Sequence, residues 1–202
     1  MTDAAGRDPG TPVPDAAASD AAGSDASAAD AQGSAVVAAR RLVADAVAVL
    51  AAAGARQETL AVLVPERRVL GIPRAARMTP TGRVWRIGVL LLDEDGGAWD
   101  TGRVVRAERA ARRSITAESV ADQRALRAAA VKGGIPEGET VAFDASPIDF
   151  DALARDGAYG PLVVRDGEVL VRWNPTSPDA LAPLARYLAE RVELLAHPPE
   201  RA

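Results

Sequence analysis

Cysteine is absent from this chain of 202 residues, and histidine occurs only once. Without a thiol, the chain has no disulfide, no cysteine-held iron–sulfur cluster, no thiolate zinc site and no cysteine nucleophile. A catalytic triad or a histidine metal site would rest entirely on His197, which precedes a Pro-Pro tail where side chains are poorly fixed. These absences predict that the protein acts by recognition and not by bond-breaking, and that it uses no cofactor.

Aromatic residues are scarce, at 3% of the chain, and the sequence pI is about 5.1. So few rings cannot form the stacking platforms that bind single-stranded nucleic acid. The net charge of −4 is also repelled by a phosphate backbone, so nucleic acid is not expected as a partner. No apolar run is long enough to span a bilayer or to act as a signal peptide, which predicts no membrane contact and a cytoplasmic location.

Familiar nucleotide and metal motifs are missing as well. Neither the P-loop pattern nor the Rossmann glycine pattern occurs. The acidic run Asp93–Asp95 lacks the alternating ligands of a calcium loop and is typical of a hairpin turn. The carboxylate pairs Glu137 with Glu139 and Asp149 with Asp151 are interpreted as solvated groups, because no neighbour in the sequence would keep one of them protonated. No metal site is predicted.

Charge is distributed unevenly along the chain. Residues 1–34 hold six aspartates and one arginine among Ala, Ser and Gly. Such a segment cannot bury enough apolar surface to offset about 1–2 kcal/mol of ordering entropy per residue, so it is interpreted as a disordered acidic tail. An acidic lid that folds back on the basic middle, where residues 56–113 hold twelve arginines against seven acidic residues, is the alternative. A single domain is expected over 35–196, with a short tail at 197–202.

Hydrophobic periodicity predicts an α+β domain, in which a mostly antiparallel sheet built from hairpins packs against an N-terminal, a middle and a C-terminal helix. The helices are expected at 34–53, at 117–131 after a Thr116 cap, and after 177–179, with Pro183 as a kink or a start. The strands are expected at 60–64, 69–72, 83–92, 98–108, 140–143 and 162–173, the last being a hairpin that turns at Asp166-Gly167. Asp149 is expected to cap a short helical turn.

A glycine notch in the sheet is one candidate binding site. If strands 83–92 and 98–108 pair so that Leu92 lies opposite Ala98, then Gly88 meets Gly102. Two facing glycines leave a gap the size of a side chain. Flanking guanidinium groups would make this gap a seat for a carboxylate or a phosphate.

Arginines are the residues that such a site would use. The same register places Arg86, Val104 and Arg106 on one face of the sheet. The candidate ligand-binding or partner-binding residues are Arg67, Arg68, Arg86, Arg103 and Arg106. The alternative is that these arginines pair with the acidic C-terminal half of the same chain or with its acidic N-terminal tail.

The segments VPERRVLGIPRAARMTPTGRVWRIGVLLLD, GGIPEGETVAFDASPIDFDAL and LVVRDGEVLVRWNP resemble a group of small uncharacterised proteins of actinobacteria with GC-rich genomes. The likeness covers residues 55–195, and some members carry a glutaminase label, so the resemblance implies an amidohydrolase but no particular site residues. Serine-dependent glutaminases use Ser-x-x-Lys, and the sole lysine, Lys132, has no serine three positions before it. Other amidotransferases need a cysteine, so only a different Ser or Thr mechanism would remain.

Three hypotheses therefore stand. The first is a non-catalytic module that binds a protein partner or a small anionic ligand through an arginine-bearing sheet face. The second is an amidohydrolase, which a hydroxyl side chain touching an amine or a carboxyl group in a deep cleft would favour. The third is a self-associating protein, a homo-oligomer, because the strand around Leu90 is apolar on both faces.

Overall fold

The structure is a computed structural model and describes residues 17–69, 72–109 and 118–199. It has the α+β organisation that the sequence predicts. The helices are α1 (Ala17–Ala52), α2 (Glu118–Lys132), α3 (Phe150–Asp156) and α4 (Leu184–Ala196). The strands are β1 (Glu58–Val64), β2 (Arg67–Val69), β3 (Ile72–Arg74), β4 (Arg77–Ile87), β5 (Leu90–Leu92), β6 (Ala98–Asp100), β7 (Arg103–Arg106), β8 (Thr140–Phe143), β9 (Ala158–Tyr159), β10 (Leu162–Arg165), β11 (Glu168–Arg172) and β12 (Leu181–Pro183).

These strands form two sheets and a separate ribbon. The larger sheet has the order β6-β5-β4-β1-β8-β7, and the smaller one has the order β12-β11-β10-β9. Among the described residues, strands β2 and β3 pair with each other and with no other strand, and they form the ribbon. Neighbouring strands are antiparallel except for β1 and β8, which run parallel. The sheet is therefore mostly antiparallel, as expected.

Helix α1 packs through a narrow stripe of small side chains. Val36, Val43, Val47 and Leu50 are all buried, and their spacing places them on one side of the helix. The Gln32 side-chain amide donates to the carbonyl of Ala154 at 2.7 Å, which ties the helix to the end of α3. The predicted stripe is therefore confirmed.

The start of α1 differs from the expectation. The helix begins at Ala17 and not after Ser34, so residues 17–34 of the expected tail lie within it. Alanine has the highest helix propensity, and this segment is rich in alanine. Three of the six tail aspartates, Asp20, Asp25 and Asp30, therefore belong to a helix of 36 residues and cannot fold back independently of it. Residues 1–16 lie outside the described part of the chain.

The first face of the larger sheet carries the main core. Trp85, Ile87 and Leu90 join the buried cluster that includes Leu50 of α1 and Tyr187 of α4. Further along this face, buried side chains of β4 and β8 pack against the alanines of α2. The register places a different set of residues on the second face, which we call the Arg86 face: Glu58, Leu60, Val84, Arg86, Leu91, Val104, Arg106 and Ala142.

The strand expected over 83–92 is in fact two strands. Strand β4 ends at Ile87, a turn at Gly88-Val89 follows, and β5 begins at Leu90. Gly88 has a φ of 75°, a left-handed conformation that glycine adopts without steric cost. Periodicity alone does not reveal this turn, because Val89 and its neighbours continue the apolar pattern.

The expected partner strand over 98–108 is also divided. Strand β6 pairs with β5, and Leu92 lies opposite Ala98 as the prediction required. Strand β7 instead crosses to the other edge of the sheet, where Val105 pairs with Val141 of β8. Gly102 (φ 54°) lies between the two strands and allows the chain to change direction.

Several local predictions are confirmed. Asp149 caps α3 by accepting hydrogen bonds from the backbone N–H groups of Asp151 and Ala152. Asp166 and Gly167 both have positive φ and join β10 to β11. The last helix begins at Leu184, directly after Pro183, because proline fits a helix start and not its interior. The proposed cap Thr116 lies outside the described residues.

A cationic cavity at the base of the ribbon

The predicted glycine notch is filled. A Cβ atom on Gly88 would lie 2.0 Å from the hydroxyl oxygen of Tyr187, and one on Gly102 would lie 2.6 Å from the backbone nitrogen of Ala145. The Tyr187 hydroxyl accepts a hydrogen bond from the Val89 N–H at 2.9 Å and donates one to the Ile87 carbonyl at 3.0 Å. The space that was expected to receive a ligand is therefore occupied by the chain's own packing.

Arg86 is paired within the chain. Its guanidinium donates two hydrogen bonds to the Glu58 carboxylate, from Nε at 2.9 Å and from Nη2 at 3.0 Å. Glu58 is only 14% exposed, so the pair is partly shielded from water. Hydrogen bonding to Glu58 raises the pKa of Arg86 above its ordinary value and outweighs the effect of burial. Arg86 is thus paired within the chain, but its partner lies in the basic middle of the chain and not in the acidic C-terminal half or the acidic N-terminal tail that the alternative names.

The three sheet arginines do not converge on one point. Arg86 and Arg106 share the Arg86 face as predicted, but β7, which carries Arg106, is the third strand from β4. Arg103 lies on the opposite face, directly across from Phe143. It stacks 5.0 Å from the centre of that ring and pairs with Asp144 at 3.6 Å. The sheet face is thus not a single arginine site.

The ribbon carries the two remaining predicted residues. Pro65 follows the end of β1, and the chain then turns into β2 and returns along β3. Arg67 lies directly opposite Arg74, whereas Arg68 lies opposite Pro73. Because side chains alternate along a strand, Arg67 and Arg74 share one ribbon face and Arg68 lies on the other. The structure therefore separates Arg67 from Arg68.

A cavity of about 280 Å³ lies where the ribbon joins the sheet. Its walls are Val64, Pro65, Arg67, Arg74, Ala75, Arg77 and Lys132. Four of the seven lining side chains are cationic, and none is acidic. We call Arg67, Arg74, Arg77 and Lys132 the ribbon-base cluster. The volume of the cavity is near the lower end of the range for ligand pockets, about 300–1,000 Å³, which suits a small ligand or the charged head of a larger one.

The ribbon-base cluster lacks the compensation found around other arginines. Arg83 pairs with Glu139 at 3.1 Å, and Arg127 pairs with Glu108 at 2.9 Å. No member of the cluster forms an ion pair with any residue in the described part of the chain. Arg67 and Arg74 lie directly opposite each other on the paired strands of the ribbon. Like charges in such a position destabilise the pairing of the strands. Among the residues that the structure describes, the cluster is therefore a local excess of positive charge that no carboxylate compensates.

Lys132 reaches the cluster through close packing of α2. It is the last residue of that helix, and Gly133 follows it. A Cβ atom on Gly133 would lie 1.6 Å from the carbonyl oxygen of Met78, so only glycine lets the helix end approach β4 so closely. Met78 is the neighbour of Arg77, which explains why Lys132 and Arg77 line the same cavity. Sequence reasoning missed Lys132 because a basic residue in the last helical turn is ordinary.

One hydroxyl group does contact a carboxylate, at the other end of β1. Thr59 Oγ1 donates to Glu139 Oε2 at 2.7 Å and accepts from Arg83 Nη1 at 3.1 Å. A cavity of about 310 Å³ lies nearby, lined by Ala55, Arg56, Gln57, Arg83, Glu139 and Thr140. Thr59 is 5% exposed and does not line it, so a substrate in that cavity would meet Arg83 and Glu139 before the hydroxyl. The contact holds β1, β4 and the approach to β8 together.

The other chemical groups considered from the sequence lie apart from both cavities. His197 directly follows α4, and its Nδ1 is 3.3 Å from Glu193 at the exposed surface. Asp93 accepts hydrogen bonds from the Gly97 N–H and the Trp99 ring N–H, as expected for a turn. Within residues 17–69, 72–109 and 118–199, no group of three His, Cys, Asp or Glu side chains is placed to hold a metal ion. The helices of the same residues include none that is both long and apolar enough to cross a membrane.

Comparisons of this chain with known proteins identify no relative. The searches against family models, curated proteins and solved structures return no match for this chain. Its function must therefore be inferred from the residues that the fold brings together, and the ribbon-base cluster is the strongest of these groupings.

Proposed function

We propose that the protein is a non-catalytic binding module that takes an anionic ligand at the ribbon-base cluster. One observation carries the proposal: four cations line one cavity, with no carboxylate in the lining and no ion partner among the described residues. Holding such charges together costs stability, which a bound anion would return. The cluster thus replaces the sheet face as the proposed location of the site.

Arginine chemistry supports an oxyanion as the ligand. Arg67, Arg74 and Arg77 each present a planar fork of donors that matches the oxygens of a phosphate or a carboxylate. Lys132 adds a compact charge with three donors. The apolar part of the lining, from Val64, Pro65 and Ala75, is small, so charge and hydrogen bonding would supply most of the affinity.

Titration calorimetry with inorganic phosphate tests this proposal. Hydrogen bonds to charged groups contribute about 1.5–3 kcal/mol each, so Arg67→Ala and Arg74→Ala should each weaken binding by about 10-fold to 150-fold. Arg68→Ala is the matched control, since it removes the same group from the opposite face of the same ribbon. We expect it to change the affinity by about threefold or less, which is the scale of an exposed charge effect. Absence of binding, or an equal loss in the control, would contradict the proposal.

The amidohydrolase alternative rests on the resemblance and on the contact between Thr59 and Glu139. A nucleophile must reach the substrate, and the burial of Thr59, which does not line the nearby cavity, argues against that role. The cluster itself offers no hydroxyl group and no carboxylate to accept the amino group of glutamine. We expect no ammonia release from glutamine above the blank, and release that disappears in Thr59→Val would favour the enzyme instead.

A further inference from the structure

The charge of the ribbon-base cluster restricts the class of anion that it can neutralise. Four cations face the cavity with no compensating acid in its lining. A carboxylate carries one negative charge, and a phosphate monoester carries about 1.5–2 at pH 7, so either leaves at least two positive charges unmatched. A diphosphate ester carries about three, from one charge on the inner phosphoryl group and about two on the terminal one. Charge matching therefore favours two linked phosphoryl groups.

The four cations of the cluster also form two pairs. Arg67 and Arg74 lie opposite each other on the ribbon, so their side chains leave the same ribbon face. Arg77 and Lys132 belong to the body of the domain, where the tight approach of α2 to β4 holds them. Each pair can serve one oxyanion, with the cavity between them. A ligand with two adjacent anionic groups would bridge the ribbon and the domain.

The uncharged residues of the lining indicate where the organic part of such a ligand would lie. No aromatic side chain lines this cavity, so it offers no surface on which a nucleobase would stack. The nearest apolar groups are small, and the cavity of about 280 Å³ has room for little beyond the charged head. The organic part would therefore extend into solvent and add little to the affinity.

We infer that the ribbon-base cluster recognises the diphosphate group of a small phosphorylated ligand, with the ribbon arginines and the Arg77–Lys132 pair each holding one phosphoryl group. The inference rests on the proposed function and adds the ligand class to it. Arg68, on the far face of the ribbon, takes no part.

Competition between anions tests the inference, with inorganic diphosphate as the probe. Calorimetry at constant pH and ionic strength should show diphosphate binding at least tenfold more tightly than inorganic phosphate. Lys132→Gln should weaken diphosphate binding more than phosphate binding, because phosphate can retreat to the ribbon pair whereas diphosphate needs both pairs. Arg68→Ala should leave the ratio of the two affinities unchanged.

Each remaining outcome has a distinct meaning. Equal affinities for phosphate and diphosphate would overturn the inference and leave the proposed function in place. Binding of neither anion would overturn both. A short DNA duplex can be tested as a competitor for bound diphosphate. If it displaces diphosphate at a lower concentration of phosphate groups than added diphosphate needs for the same displacement, the ligand is a nucleic-acid backbone and the inference is wrong. If unfolding monitored by circular dichroism shows that Lys132→Gln is misfolded, Arg77→Gln provides the same comparison, since Arg77 belongs to the same pair.

Discussion

Replacing Tyr187 by phenylalanine removes the hydroxyl group that fills the predicted notch. That hydroxyl accepts from the Val89 N–H at 2.9 Å and donates to the Ile87 carbonyl at 3.0 Å, on either side of Gly88 in the turn that divides β4 from β5. Tyr187 is 5% exposed, so water cannot easily take its place. The substitution therefore leaves two backbone groups without their partner.

The expected loss follows from those two hydrogen bonds. A buried polar group left without a partner costs about 1–3 kcal/mol, and each neutral hydrogen bond contributes about 0.5–1.5 kcal/mol. We expect Tyr187→Phe to lower the free energy of unfolding by about 2 kcal/mol, which corresponds to a decrease in Tm of about 4–8 °C for a chain of this size. Equilibrium unfolding in urea, followed by tryptophan fluorescence, measures the first quantity directly.

The second tyrosine provides the control. Tyr159 is half-buried, and its hydroxyl makes no hydrogen bond with the residues that the structure describes. Tyr159→Phe should change the free energy of unfolding by about 0.5 kcal/mol or less, as surface substitutions do. If the two substitutions cost the same, the Tyr187 hydroxyl does not hold the turn, and our explanation of the filled notch is wrong.

Three further predictions follow from the same contacts. Gly102→Ala should be more destabilising than Gly96→Ala, because both glycines have positive φ but only the first would place a Cβ against backbone atoms; urea unfolding of both compares them. The Ala152 N–H lowers the pKa of Asp149, so this carboxylate stabilises the fold above its unfolded pKa of about 3.9 and loses that effect as the pH falls through the lower folded value. Asparagine at position 149 retains a helix cap but has no carboxyl group to titrate. Below about pH 4, the free energy of unfolding in urea should therefore fall less for Asp149→Asn than for the wild type, and the same pH dependence in both proteins would contradict this. Arg86→Ala should destabilise the fold by leaving Glu58 unpaired, yet leave phosphate affinity unchanged in calorimetry, whereas weakened binding would restore the sheet face as the site.

The sequence predicts local features of this fold well. The buried stripe of α1 follows from helical spacing, and the turn at Asp166-Gly167 follows from the residues that tolerate positive φ. Asp149 caps α3 because its short carboxylate reaches the first free N–H groups of the helix. Each of these features depends on side chains within a few positions of one another.

The pairing of distant strands was much harder to predict. The sequence predicts a gap at Gly88 within a long strand, because nothing near Gly88 in the sequence shows that Tyr187 occupies that space. The apolar stretch at Leu90–Leu92 suggested self-association, but all three residues are buried at 1% exposure or less within one chain. That stretch therefore gives no reason to expect a homo-oligomer, and light scattering of the purified protein should report a monomer.

For the same reason, the sequence identifies only part of the candidate site. The arginine-rich middle of the chain indicates Arg67 as a candidate, but the pairing of Arg67 with Arg74 depends on two short strands where the sequence predicts one, at 69–72. Lys132 lies 65 positions further along the chain and joins the cavity only because Gly133 lets α2 approach Met78. A cluster assembled from a ribbon, a strand and a helix end has no signature in the local sequence.

Anion binding at the base of the ribbon is the property on which the proposed function depends. Amide chemical shifts in two-dimensional NMR, followed while inorganic diphosphate is added, test it most directly because they report position as well as affinity. We expect the largest changes in the lining of the cavity, at Arg67, Arg74, Ala75, Arg77 and Lys132. Changes centred on Arg86 and Arg106, or around the cavity beside Arg83 and Glu139, would contradict it.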